Sequence, residues 1–129
     1  MIETGMRNAI TSPNASSVGP YSHAIDAGGM VFLSGQTPLD SETGKLIEGN
    51  IADRTQKCFD NLLDVLAAGG LTADHVVKVN VFLTNMADFA EMNEVYKRQF
   101  SEPYPARSTV AVAELPLGAN IEIELVAQR

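Results

Sequence analysis

Three charged side chains near the end of the 129-residue chain stand where a strand would carry them: Arg107 in PARSTVAVA, and Glu122 and Glu124 in NIEIELVA. A guanidinium is a planar fork that grips a carboxylate through two parallel hydrogen bonds. A carboxylate beside it can take a proton from water and return one to a leaving group. Side chains alternate along a strand, so Ser108, Val110 and Val112 point one way and Arg107, Thr109 and Ala111 the other. In the second strand Ile121, Ile123 and Leu125 share one face, with Glu122, Glu124 and Val126 on the reverse. Pairing the two strands with their apolar faces together predicts that Arg107 and both glutamates share the second face. Periodicity alone then favours a surface ion pair worth at most about 1 kcal/mol. A tight hairpin with Ala113 opposite Asn120 sets Glu124 across from Thr109 and Glu122 across from Ala111. The pattern selects neither glutamate.

The other reactive side chains are less telling. His23 and His75 are far apart and lack a ligand-spaced Cys, His or carboxylate cluster, so no zinc site is expected. Cys58 falls on an apolar helical stripe and reads as core. Ser34 has no His and Asp in a recognisable relation to it, which leaves no serine triad. GANIEI and AAGGLT lack the spacing and the lysine of a phosphate loop. Tyr21 is placed at the start of a strand, its hydroxyl open to a cleft or to solvent at an edge. Asn93 borders a helical stripe, as a boundary amide does.

The elements that must position these groups follow from hydrophobic period. Residues 1–19 are polar and rich in turn formers, and read as a loosely packed lead-in. YSHAIDA and MVFLSGQ form two strands around a Gly28-Gly29 turn, and KLIEG is a further short run. Ile51, Thr55, Cys58, Phe59, Leu62, Leu63 and Leu66 make a helical stripe over residues 51–68, with Asn50 as N-cap and Gly69-Gly70 as its stop. VVKVNVFLT is a strand with Val77, Val79, Val81 and Leu83 on one face. A second helix is predicted over 88–100 through Phe89, Met92, Tyr96 and Phe100, ended by Pro103 and Pro105. The order β-β-α-β-α-β-β predicts an α+β fold in one domain spanning 1–129, two helices covering one face of a mixed sheet. The uncovered face mixes Phe82 with Lys78 and Asn80, which predicts association with further copies of the chain.

Composition narrows the functions. A formal charge of −7 opposes binding to nucleic-acid phosphates. No apolar run is long enough to span a bilayer, and no leader segment is recognised. A lone cysteine suits a reducing compartment, and a cytoplasmic location is expected.

Together these segments resemble the RidA (YjgF) family of enamine/imine deaminases. VGPYSHAIDAGGMVFLSGQTP is similar to its N-terminal segment, and NLLDVLAAGGLTADHVVKVNVFLTNMADFAEMNEVY to its central helix–strand–helix. PARSTVAVAELPLGANIEIELVA resembles its C-terminal signature. The resemblance implies a chorismate-mutase-like fold assembled as a homotrimer, with sites between subunits and no metal or organic cofactor. It further implies that Arg107 holds the substrate carboxylate and that Glu122 handles the attacking water. By the same resemblance the backbone amide of Thr109 binds carboxylate, and Tyr21, Ser34 and Asn93 line the pocket. The implied reaction converts 2-aminoacrylate-type enamines, or the 2-iminopropanoate and 2-iminobutanoate tautomers, to 2-keto acids and ammonia. A trimeric binding or regulatory module without turnover is the alternative, which the presence of Arg107 disfavours. RNA cleavage, proposed for relatives, conflicts with the acidic charge. The loop SEPYPARS is shorter than in many relatives.

Overall fold

Gly28 and Gly29 adopt φ of 69° and 98°, a left-handed pair that reverses the chain between β2 (Ala24–Ala27) and β3 (Met30–Gln36) as expected of a tight hairpin. This computed structural model describes residues 6–13 and 19–129. Ahead of the hairpin, β1 (Asn8–Ile10) pairs antiparallel with β2, so part of the predicted lead-in is a strand. Three residues are too few for a readable alternation. Tyr21 precedes β2 rather than opening it. A small hairpin of β4 (Leu39–Asp40) and β5 (Lys45–Leu46) follows β3.

Helix α1 (Ile51–Ala68) has the predicted bounds. Asn50 Oδ1 accepts from the Asp53 amide at 2.9 Å, and Asp53 Oδ2 accepts from the Asn50 amide at 3.2 Å, a reciprocal cap that satisfies two otherwise orphaned donors. Ile51, Thr55, Cys58, Phe59, Leu62 and Leu66 of the predicted stripe are buried, with α1 packed against β3 and β8, while Leu63 is only partly buried. In β6 (Val76–Leu83) the core face is Val79, Val81 and Leu83. Val77 leaves that face, contrary to the simple alternation, because the register with β8 shifts between Val76 and Lys78; Val76 turns inward in its place. Helix α2 (Phe89–Lys97) is shorter than predicted. The amides of Arg98 and Gln99 bond three residues back, to Val95 and Tyr96, tightening the last turn and releasing Phe100. The freed ring still packs 5.8 Å from Phe59 and 5.2 Å from Tyr96.

The last strands, β7 (Ala106–Ala111) and β8 (Ile121–Gln128), do not pair with each other. The sheet order is β1-β2-β3-β8-β6-β7, with β6 lying between them. Strand β7 runs parallel to β6, the only such pair among the described residues, and is carried to the sheet edge by the α2 crossover. The two helices lie on one face of this mixed sheet. Register then assigns the faces. Arg107 stands beside Val79 and Thr109 beside Val81, on the helix side. Glu122 stands opposite Phe82 and Glu124 opposite Asn80, on the uncovered side. The predicted sharing of one face by Arg107 and the glutamates is therefore overturned: within one chain they lie on opposite faces.

Candidate active site

The edge position of β7 exposes its helix-side residues to the margin of α2, where no further strand or helix among the described residues covers them. Arg107 lies there half-buried. Its Nη1 donates to Asn93 Oδ1 at 2.7 Å, and its Cζ lies 4.6 Å from the Tyr96 ring centroid and 5.4 Å from that of Phe89. A cation over aromatic faces gains about 0.5–2 kcal/mol, more as water is excluded. Asn93, Tyr96 and Phe89 come from successive turns of one helix face, and hold the guanidinium by one nitrogen and by its plane. Burial pushes the Tyr96 phenol up, with the Arg107 charge opposing. Among the described residues no carboxylate lies within ion-pair distance of Arg107, so the surface ion pair expected from periodicity is absent. A cleft of about 450 Å³ opens over Arg107, walled by Asn93, Tyr96, Tyr104 and Pro105. Thr109, one step further on the same face, has its Oγ1 buried without a hydrogen-bond partner.

The second group of residues gathers on the other face, at the end of β3. There the register with β8 is interrupted between Leu33 and Gln36, and Gly35 lies beneath the Glu122 side chain. A Cβ at Gly35 would collide with the Glu122 carboxylate, whose Cδ would be only 2.9 Å away. Glycine is what lets the acid lie flat across the strand. Glu122 is half-buried, and its carboxyl is raised above the ordinary value of 4.5, first by burial and then by the charge of Glu124. Glu124 is itself held by Asn80, whose Nδ2 donates to Oε2 at 3.0 Å. Tyr21 and Ser34 join both glutamates around a cleft of about 320 Å³. The Ser34 hydroxyl donates to the Ser22 carbonyl at 2.7 Å, fixing the loop from which Tyr21 projects.

The residues singled out by sequence thus divide into two sets, with Arg107, Asn93 and Thr109 on one face and Glu122, Glu124, Tyr21 and Ser34 on the other. Tyr96 and Phe89 were read only as part of the α2 stripe, and Gly35 only as the end of a strand. The signal for the two aromatics was their spacing with Asn93 on α2, since residues three and four apart share a helix face. Cys58 is fully buried, and burial holds its thiol well above the usual range. Both histidines serve local structure: His23 Nδ1 accepts from the Ser12 amide, and His75 Nδ1 from the Thr72 amide.

A mixed sheet with two helices on one face and a clamped arginine at its edge defines an α+β protein of the Rid type. The chain belongs to the YjgF/RidA family, whose model, described as Endoribonuclease L-PSP, matches residues 11–129. It is 44% identical over 121 residues to the 2-iminobutanoate/2-iminopropanoate deaminase of Dermatophagoides farinae, covering 93% of this chain and 94% of that one. The crystal structure of YyfA from Yersinia pestis, described as a member of the conserved Rid protein family, superposes with a TM-score of 0.91 at 40% identity, covering 95% and 99% of the two chains. Escherichia coli TdcF, solved with bound serine, has a TM-score of 0.83 at 38% identity, covering 98% and 99%. Among the described residues no helix is long and apolar enough to cross a membrane.

Proposed function

We propose that this protein is a cytoplasmic imine deaminase that hydrolyses small 2-imino acids at a site completed by a second copy of the chain. The observation that carries this reading is the Arg107 guanidinium, fixed by Asn93 and two rings yet without an acidic partner among the described residues. A cation held so firmly in an open cleft is suited to a carboxylate ligand. The raised carboxyl of Glu122 supplies the second requirement, a proton acceptor and donor, but from the opposite face. Juxtaposing the two faces of neighbouring copies brings both requirements to one ligand, and a closed ring of three copies does so at each junction.

In this reading Arg107 binds the carboxylate and so orients the adjacent C2. Strand β7 is at the sheet edge, where alternate amides are free of the ladder, as carboxylate binding by the Thr109 amide requires. Glu122 takes a proton from water as the water oxygen adds to C2, and that proton passes to the nitrogen of the former C=N bond. The resulting carbinolamine collapses when its hydroxyl proton is lost to Glu122 and returned to the nitrogen as the C–N bond breaks, giving a 2-keto acid and ammonia. Tyr21 and Ser34 line the cleft on the water side. The serine held by TdcF supports a ligand of α-amino-acid size, and the relative named as a deaminase supports the reaction. The formal charge of −7 works against an RNA substrate.

The test generates 2-aminoacrylate with a serine dehydratase and follows pyruvate release against a trapping amine such as semicarbazide. Acceleration over buffer by the wild type, and its loss in Arg107→Ala, are expected. Equal rates with and without the wild-type protein would sink the proposal, as would full activity in Arg107→Ala.

A further inference from the structure

The chain returns from β7 to β8 through an unfavourable turn. Leu117 has φ 62° and ψ 15°, and Gly118 follows at φ 71°; the Ala119 amide closes the turn on the Pro116 carbonyl at 3.1 Å. Two successive left-handed residues ordinarily require Asn-Gly or Gly-Gly, because a larger Cβ crowds the following carbonyl. Leucine offers no side-chain hydrogen bond to offset this. Nor does burial in the fold: Leu117 is 54% exposed, the most exposed large apolar side chain after Met6 among the described residues. Leu117 lines the cleft that holds Tyr21, Glu122 and Glu124, whose apolar lining also includes Leu39 and Pro116, and it borders a smaller cavity beside Lys45 and Leu46. Backbone strain held at the rim of a cleft, for a side chain the core does not use, points to a role in that cleft.

The chemistry of the substrate says which role. A trigonal imino carbon has three substituents: the carboxylate, the nitrogen and the side chain. The carboxylate is repelled from Glu122 and Glu124 and belongs with Arg107. The nitrogen must reach the proton on Glu122. Only the side chain remains for the apolar rim. We propose that Leu117 is a specificity-determining residue, forming the wall that receives the imino acid's side chain and favouring apolar over acidic ones. This rests on the deaminase reading above.

The experiment compares imines made in place by a broad-range amino-acid oxidase from alanine, leucine and glutamate, scored by loss of the semicarbazone signal. Leu117→Asn and Leu117→Gly are the variants, since both residues accept the left-handed turn and each should raise the thermal midpoint by a few degrees. The wild type is expected to favour the leucine-derived over the glutamate-derived imine at least tenfold. Each buried methylene is worth about fourfold. Both variants should therefore lose about fourfold to tenfold more kcat/KM on the leucine-derived than on the alanine-derived imine. A uniform loss, or a ratio unchanged within twofold, overturns the assignment of Leu117 while leaving the deaminase reading standing. A wild type inactive on all three overturns both.

Discussion

Asn93 Oδ1 accepts a 2.7 Å hydrogen bond from Arg107 Nη1, joining the middle of α2 to the edge strand β7. The bond fixes the rotation of the guanidinium about its stem while Tyr96 fixes its height. Asn93→Ala removes the first constraint and leaves the second. Losing a hydrogen bond to a charged group costs about 1.5–3 kcal/mol, so kcat/KM for a 2-imino acid should fall roughly tenfold to a hundredfold, chiefly through KM. Steady-state kinetics beside a melting curve separate this from unfolding. An unchanged KM would mean that the bond is only structural.

Glu122 offers a prediction in pH. Its folded value is raised by burial and by Glu124, so the native state holds this proton more tightly than the unfolded chain. The associated stability is full below the ordinary carboxylate value and is lost as pH rises through the folded one. Glu122→Gln should flatten the stability profile in the window just above 4.5 and leave the protein more stable than wild type at neutral pH. Glu124→Gln removes the second cause and should move both that window and the acid limb of kcat/KM downward. Denaturant titrations at several pH values, and a pH–rate profile, check the two halves separately. An acid limb that stays in place in Glu124→Gln would exclude coupling between the two acids.

Gly35 is predicted to matter for position rather than for fold. Its φ lies outside the left-handed region, and the atoms an added methyl would meet belong to the flexible end of Glu122. Gly35→Ala should fold with a thermal midpoint within a few degrees of wild type, because the carboxylate can swing aside. Displacing a catalytic group by about 1 Å can cost on the order of a hundredfold in rate. The expected result is a large fall in kcat with the fold retained by circular dichroism. Full activity would remove Glu122 from the chemistry.

These relationships were only partly legible in the sequence. Helix α1 was readable to its ends because its apolar stripe, its Asn50 cap and its Gly69-Gly70 stop agree. The alternation inside β8 was also readable, since Ile121, Ile123 and Leu125 are buried as their spacing requires. What alternation cannot carry is the relation between strands. Strands β7 and β8 are neighbours in sequence, yet β6 lies between them, and β7 turns Val110 rather than Arg107 to the uncovered face. An edge strand tolerates this inversion, because its helix side meets the rim of α2 rather than the closed core. A half-buried arginine there can rest on Tyr96 and Phe89. The same limit explains Val77, since a local register shift is a property of the pair Val76/Lys78 and β8, not of β6 alone.

The uncovered face carries the last prediction. Phe32 on β3 and Val110 on β7 are 49% and 46% exposed, and Glu122, Phe82 and Lys78 lie on strands between them. Lys78 Nζ donates to Ser108 Oγ at 3.0 Å, so the polar part of this face is already ordered. Exposed apolar side chains on an ordered sheet face mark an association surface. If copies of the chain meet there, a charge at Phe32 is buried without a partner in the assembly but stays solvated in the free chain, which penalises association selectively. Phe32→Asp should therefore give a folded monomer by light scattering, where the wild type is expected to elute as the proposed trimer. Deamination should fall with it, because the Arg107 and Glu122 faces no longer meet. Activity that survives in a verified monomer would mean that one chain holds the whole site, and the two-face arrangement would have to be abandoned.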